Sequence, residues 1–242
     1  MKKQINKRYK LLPLYIALLI CIMNVCDVLI FKVFNIYGLK IVGSGFVFSF
    51  AFLIMNIITE CYGFRETEKA MIYILLAQVL FITVLSIAIR IPSPKFVNTS
   101  ELYYTLFKNL WLVIISGTAS AAASFYFNSV VISKLKILLS GKLIIVRFIF
   151  SNMLSQALLV VISYFIPYYS ILSFEKIALL CFHTWLFKMA ATVIIVNISP
   201  FFIKLTIKIE HADIYDYNVS YNPIKIFDES NTGENRYGRQ IN

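Results

Sequence analysis

The sequence predicts an all-α polytopic membrane protein, a bundle of six transmembrane helices, and three observations predict it. Of 242 residues, 60% are hydrophobic and only 14% are charged, and the mean hydropathy of +0.78 lies well outside the range of soluble domains. Six apolar runs come close to the roughly 20 residues that a helix needs to cross about 30 Å of hydrocarbon. The connections between them are too short to hold another folded unit. The expected division is therefore a transmembrane domain over 1–206 and a polar tail over 207–242.

The first run, 11–34, follows the basic segment "MKKQINKRYK". It is too long for a signal-peptide core and no small-residue cleavage site follows, so it is expected to stay as the first helix. The runs 41–59 and 70–91 flank the charged stretch "ECYGFRETEK". The loop 92–109 is the longest connection on the opposite side, and its "ELYYTLFKN" end could lie along the interface as a short amphipathic helix. The fourth run, 110–132, contains "SGTASAAAS", whose small residues at i, i+3 and i+4 allow close helix contact. The runs 143–166 and 177–205 complete the set, and the tail mixes both charges with turn formers, its end expected to be disordered. Halves of three helices each would suit the topology, although no internal repeat is visible.

The net charge of +11 is largely accounted for by the positive-inside rule. With the N-terminus cytoplasmic, the inner segments hold Lys2, Lys3, Lys7, Arg8, Lys10, Arg65, Lys69, Lys134, Lys136, Lys142, Lys204 and Lys208. The outer loops hold half as many: Lys32, Lys40, Arg90, Lys95, Lys108 and Lys176. Both termini are thus expected to face the cytoplasm. Basic residues interleaved with aromatic ones, which nucleic acid would require, do not occur.

Polar side chains within the spans carry the functional information, because a charge at the bilayer centre costs about 2.5–3.5 kcal/mol on insertion scales. On the fifth span Asn152, Ser155 and Gln156 share one face, with Ser151 beside them and Arg147 near the inner end. On the second span Asn56 and Glu60 are four residues apart. On the sixth, Thr184, Lys188 and Thr192 repeat at intervals of four, placing a lysine deep in the membrane. It forms either a structural ion pair with a carboxylate, Glu60 or Asp27, or serves a substrate or coupling role, and both readings stand at this point. Gln78 and Asn128 read as hydrogen-bonding glue between helices, His183 as an interfacial side chain, and the four cysteines as small apolar fillers. No hydrolase, nucleotide-binding or metal-ligand pattern occurs. Composition and motifs therefore favour transport or binding over catalysis, with no cofactor and no metal.

Four stretches, in this order, resemble one family. They are "FLIMNIITECYGFRETEKAMIY", "VRFIFSNMLSQALL", "LFKMAATVIIVNISPFF" and "LTIKIEHADIYDYNVSYNPIKIF", and together they are similar to the VUT/YhhQ-type queuosine precursor transporter family. Glu60, Tyr62, Gly63, Arg147, Ser155, Gln156, Lys188 and Pro200 fall on matching positions. Asn56, Leu159 and Thr192 stand where acids are usual in that family.

The resemblance implies a bacterial inner-membrane importer of a 7-deazapurine such as preQ0, preQ1 or queuine, facilitative or proton-coupled. Its partners would be a nucleobase-like solute and the lipid bilayer, and a homo-oligomer is compatible. Amides can meet a base edge with paired hydrogen bonds, so Asn152 and Gln156 facing Asn56 and Glu60 form a candidate edge reader, with Phe148, Tyr126 or Tyr62 to stack on the ring. Two other readings fit the same residues: a membrane subunit of an ATP-driven vitamin or nucleobase uptake system, and a scaffold without transport activity.

Overall fold

The computed structural model describes residues 9–29, 32–36, 39–94, 100–108, 110–169, 172–225, 227–228 and 230–237. The basic segment 1–8, loop residues 95–99 and the tail end 238–242 lie outside the described residues, and with them the expectation of a disordered end. Among the described residues there are seven α-helices and two short antiparallel ribbons. Four of the helices are long and apolar enough to cross a membrane. Large apolar side chains face outward, Leu76, Leu80, Val84, Leu186 and Ile194 among them, while hydroxyl, amide and charged groups are buried. That distribution, apolar outside and hydrogen-bonded polar groups inside, suits a hydrocarbon surround.

Helix α1, Leu12–Leu29, carries Pro13 in its first turn, where the missing N–H would have had no partner. It ends before the predicted 34. Two paired antiparallel strands stand there instead, β1 Val33–Ile36 against β2 Leu39–Val42, with Val33 opposite Val42. Their β-branched residues favour the extended conformation over a helix extension.

Helix α2, Gly43–Ala88, runs without a loop through the connection expected at 60–69. A single residue breaks it: Gly63 has φ 83° and ψ 175°. A side chain there would be strained by the positive φ, and its Cβ would lie 2.7 Å from Asp216 Oδ1 and 2.8 Å from Ile214 Cγ2. Helix α3, Ser100–Phe107, matches the predicted short helix in the 92–109 loop.

Helices α4, Leu110–Leu138, and α5, Ile144–Tyr168, pack on each other, and α4 also packs on α2. The small residues of "SGTASAAAS" form that contact. Ser120, Ala121 and Ser124 are buried, and Ser120 Oγ is 2.6 Å from Ser163 Oγ of α5. The link between α4 and α5 is tight, with Ser140, Gly141 and Leu143 at positive φ.

The sixth predicted span, 177–205, is two helices: α6, Phe174–Val196, and α7, Ser199–Glu210. Pro200 separates them. It has no N–H for the Val196 carbonyl and its ring crowds that turn, so the chain turns at 197–198 and Pro200 sits in the first turn of α7. Helix α7 joins α1 through Tyr15 Oη and Thr206 Oγ1, 2.5 Å apart. Beyond it, β3 (Ile214–Tyr215) pairs with β4 (Glu234–Asn235), and this ribbon lies against α2 and α4.

Candidate functional site

The polar side chains fall into two layers. The first surrounds Gly63. In an unbroken helix the Phe64 N–H would bond the Glu60 carbonyl. Here it donates to Asp216 Oδ2 at 3.0 Å, and the freed Glu60 carbonyl accepts Lys136 Nζ at 2.6 Å. One backbone hydrogen bond has thus been replaced by two side chains, an anion from the tail and a cation from α4.

Lys136 also donates to Asp213 Oδ1 at 2.6 Å and to the Ile214 carbonyl at 2.7 Å, and lies 4.4 Å from the centre of the Tyr215 ring. Ser133 donates to Asp216 Oδ2 at 2.6 Å. Burial pushes the Asp216 carboxyl above its ordinary range, opposed by the hydrogen bonds from Ser133 and Phe64 and by the charge of Lys136. Glu210 accepts from the Leu11 N–H and, at 3.2 Å, from the Tyr62 hydroxyl. Glu210, Asp213, Tyr215 and Asp216, read in the sequence only as a resemblance, are therefore the residues that dock the tail onto the bundle.

The Glu60 side chain belongs to the same layer. Arg147 grips it in a fork, Nη1 to Oε2 at 2.7 Å and Nη2 to Oε1 at 2.8 Å. The fork is planar and charge-assisted. The α4–α5 link aims it: the Lys142 carbonyl accepts from Nε at 2.9 Å and the Gly141 carbonyl from Nη2 at 3.2 Å. Arg147 is only 1% exposed, so it reaches inward rather than out to the surface. Lys136 Nζ, 3.8 Å from Glu60 Oε1, adds a second cation.

The second layer lies further along the helices. Asn128 Nδ2 donates to Asn56 Oδ1 at 2.6 Å, and Asn56 Nδ2 donates to Asn152 Oδ1 at 3.2 Å. Ser151 and Ser155 donate to Asn128 Oδ1 at 2.6 and 3.1 Å. Helices α2, α4 and α5 are thus joined by a chain of three amides, and Asn128 is its centre. Gln156 is bound differently. Its Nε2 donates to Thr192 Oγ1 of α6 at 2.7 Å, while its Oε1 is buried without a hydrogen-bond partner among the described residues.

Lys188, one turn from Thr192 on α6, is buried with Nζ 4.5 Å from the centre of the Phe48 ring. Phe48 stacks on Phe125 at 5.7 Å between centroids. Among the described residues no carboxylate pairs with Lys188 within 4.0 Å; Glu60, one of the two counter-charges weighed from sequence, is taken by Arg147 and Lys136.

All seven predicted site residues, Asn56, Glu60, Arg147, Asn152, Ser155, Gln156 and Lys188, are buried, but they do not form one cluster. Glu60 and Arg147 pair at the Gly63 end. Asn56, Asn152 and Ser155 belong to the amide chain. Gln156 and Lys188 flank Thr192. Of the aromatic residues considered for stacking, Tyr62 and Tyr126 are at the Gly63 end, where Tyr126 donates to the Tyr221 carbonyl. An apolar cleft of about 430 Å³ lies between α1 and the later part of α2, lined by residues such as Ile20, Asn24, Phe81 and Val84. None of the seven lines it. Lys136, expected in a cytoplasmic segment, is buried at the Gly63 break, and Asn128 joins helices as expected, at the centre of the amide chain. Their distant partners, not their own surroundings in sequence, give them their place.

No curated protein and no solved structure matches the chain. A family described as "Putative vitamin uptake transporter" matches over residues 42–203. That stretch runs from the end of β2 into α7, takes in both polar layers up to the tail, and covers well over half of the chain. The protein therefore belongs to this transporter family.

Proposed function

We propose that the protein imports a 7-deazapurine precursor of queuosine across a bacterial cytoplasmic membrane. Six spans are counted with α2 taken as two helices about Gly63, and both termini and the Gly63 end face the cytoplasm. The observation that carries this reading is the presence of two unfilled polar groups about one turn of α6: Gln156, which bonds Thr192 only through Nε2, and Lys188, four residues before Thr192. Among the described residues the buried Oε1 of Gln156 lacks a donor and the buried ammonium of Lys188 lacks a carboxylate within 4.0 Å.

In hydrocarbon an unfilled acceptor costs several kcal/mol, and a cation without a counter-charge costs more. A planar heterocycle that presents a ring N–H beside a carbonyl satisfies both, its N–H donating to Gln156 Oε1 and its carbonyl accepting from Lys188. The Phe48 and Phe125 rings supply an apolar wall next to Lys188. Asn56, Asn152 and Ser155 hold α2, α4 and α5 in register around this point and can exchange partners when solute enters. Glu60 and Arg147 fix the cytoplasmic end.

The test is complementation. A strain unable to make 7-deazapurines, given this protein and the precursor, is expected to gain queuosine in its tRNA, and the Gln156→Leu variant is expected not to. Uptake by the purified protein alone in liposomes separates this reading from that of a subunit dependent on an ATPase.

A further inference from the structure

Glu68 lies five residues beyond Gly63, about 7–8 Å along the helix axis. It is 0% exposed. Its Oε1 is 2.8 Å from Ser129 Oγ of α4, and its Oε2 is buried with no partner. No cation pairs with it among the described residues. On its own helix, Lys69 pairs with Glu66 at 2.7 Å and Arg65 interacts with Asp228. From α4 the titratable group facing it is Tyr126, and from the tail Tyr221 packs across Phe64. Tyr9, before α1, faces Glu66; Glu210 of α7 meets Tyr62; Lys188 of α6 lies over Phe48.

Ser129 has one hydroxyl hydrogen and two acceptors in reach, Glu68 Oε1 and the Tyr126 carbonyl at 2.9 Å. If Glu68 carries a proton, it donates to Ser129 Oγ and the Ser129 hydrogen is free for Tyr126. The remaining Glu68 oxygen is then neutral, which makes its burial far less costly than that of an anionic one.

We propose that Glu68 is the proton-coupling group of the transporter, protonated in the conformation described here. This rests on the transport reading above and names its driving force. On release the O–H bond breaks, the electron pair stays on the carboxylate, and the proton passes to water at the cytoplasmic side near the Gly63 break. Recharging takes a proton from water on the opposite side in the alternate conformation.

The link to solute is short. Ser129 is adjacent in sequence to Asn128, the centre of the amide chain that joins Asn56 to α4 and α5. A change of donor at Ser129 therefore acts on the turn of α4 that holds that chain. The bistable element is that turn, and both proton and solute bias it.

The full-length protein in liposomes provides the test. In the infrared, wild type minus Glu68→Gln at neutral pH is expected to show a carboxylic-acid band, because the carboxamide replaces a neutral group. With a radiolabelled 7-deazapurine, a gradient of about one pH unit is expected to drive about tenfold accumulation per proton carried. Glu68→Gln is expected to equilibrate the base to the same level with or without the gradient. Ser129→Ala, which leaves the acid without its acceptor, is expected to shift the pH midpoint of uptake.

A Glu68→Gln variant that still accumulates, or wild-type uptake indifferent to the gradient, overturns the coupling and leaves the transport reading standing. A difference spectrum with carboxylate bands alone overturns the protonated state. A wild type that carries no base overturns the transport reading itself, and the infrared measurement then decides by itself whether Glu68 holds a proton.

Discussion

The two polar layers are built from similar residues and solve opposite problems. Around Gly63, Glu60, Arg147, Lys136, Asp213 and Asp216 each have a partner of opposite charge or a backbone group within hydrogen-bond distance. Further along, Asn56, Asn128 and Asn152 bond one another, yet Gln156 keeps an acceptor unfilled and Lys188 faces an aromatic ring. Burial does not distinguish the layers, since all of these side chains but Asp213 are buried; their partners do. On the proposed reading, the saturated groups around Gly63 hold helices, and the unfilled ones at Gln156 and Lys188 hold a place for solute.

This contrast can be broken by substitution. The largest effect is expected for Arg147→Ala or Glu60→Ala, which strands a buried charge and costs about 3–5 kcal/mol. Thermal unfolding in detergent should show it as a collapse in folded yield, partly restored when Glu60→Gln and Arg147→Met are combined. Asp216→Ala removes the acceptor for both the Phe64 N–H and the Ser133 hydroxyl, and a loss of about 1–3 kcal/mol is expected in the same assay. Equal stability of either variant and wild type would show that this layer is not the structural one.

In the second layer the expected order reverses, with little stability change and a large loss of binding. Gln156→Leu should cost about 0.6 kcal/mol in stability, the average for a side-chain hydrogen bond in a membrane protein. It should also abolish the thermal shift caused by 7-deazapurines. A variant that loses stability but keeps that shift would put Gln156 with the structural residues.

The smallest effect sharpens the first layer. Burial raises the Asp216 carboxyl above its unfolded value, so the folded state holds that proton to higher pH than the unfolded state does. Stability from this group falls as pH rises from the ordinary carboxylate value of about 3.9 through the raised one, and is flat above it. The unfolding temperature of wild type relative to Asp216→Asn should follow that slope.

Hydropathy made the helical membrane class legible, and helix periodicity singled out seven side chains that all prove to be buried. Helix breaks were less legible, because a hydropathy window averages over single residues. Gly63 interrupts α2 without a loop, and Pro200 interrupts an apolar run that averages to one span. Partner choice was the least legible. Glu60 was weighed against Lys188, but bonds Arg147, 87 positions away, and Lys136, 76 positions away. Only the packing of α4 on both α2 and α5 brings these together. The tail motif could be recognised as a pattern, yet its role depends on reaching a glycine some 150 positions earlier, as the contact between Phe64 and Asp216 does.

That contact also bears on how the chain is made. Phe64 leaves the ribosome 152 residues before Asp216, and translation adds about 5–20 residues each second. For several seconds the break at Gly63 has neither its anion nor the tail that orders Lys136, so the early helices wait with an unsatisfied backbone pair. The segment from Asp213 to Asp216 then closes the Gly63 break after α1 to α7 have been made. A nascent chain stopped before Asp213 would present an open seam at Gly63 for quality-control proteases to find.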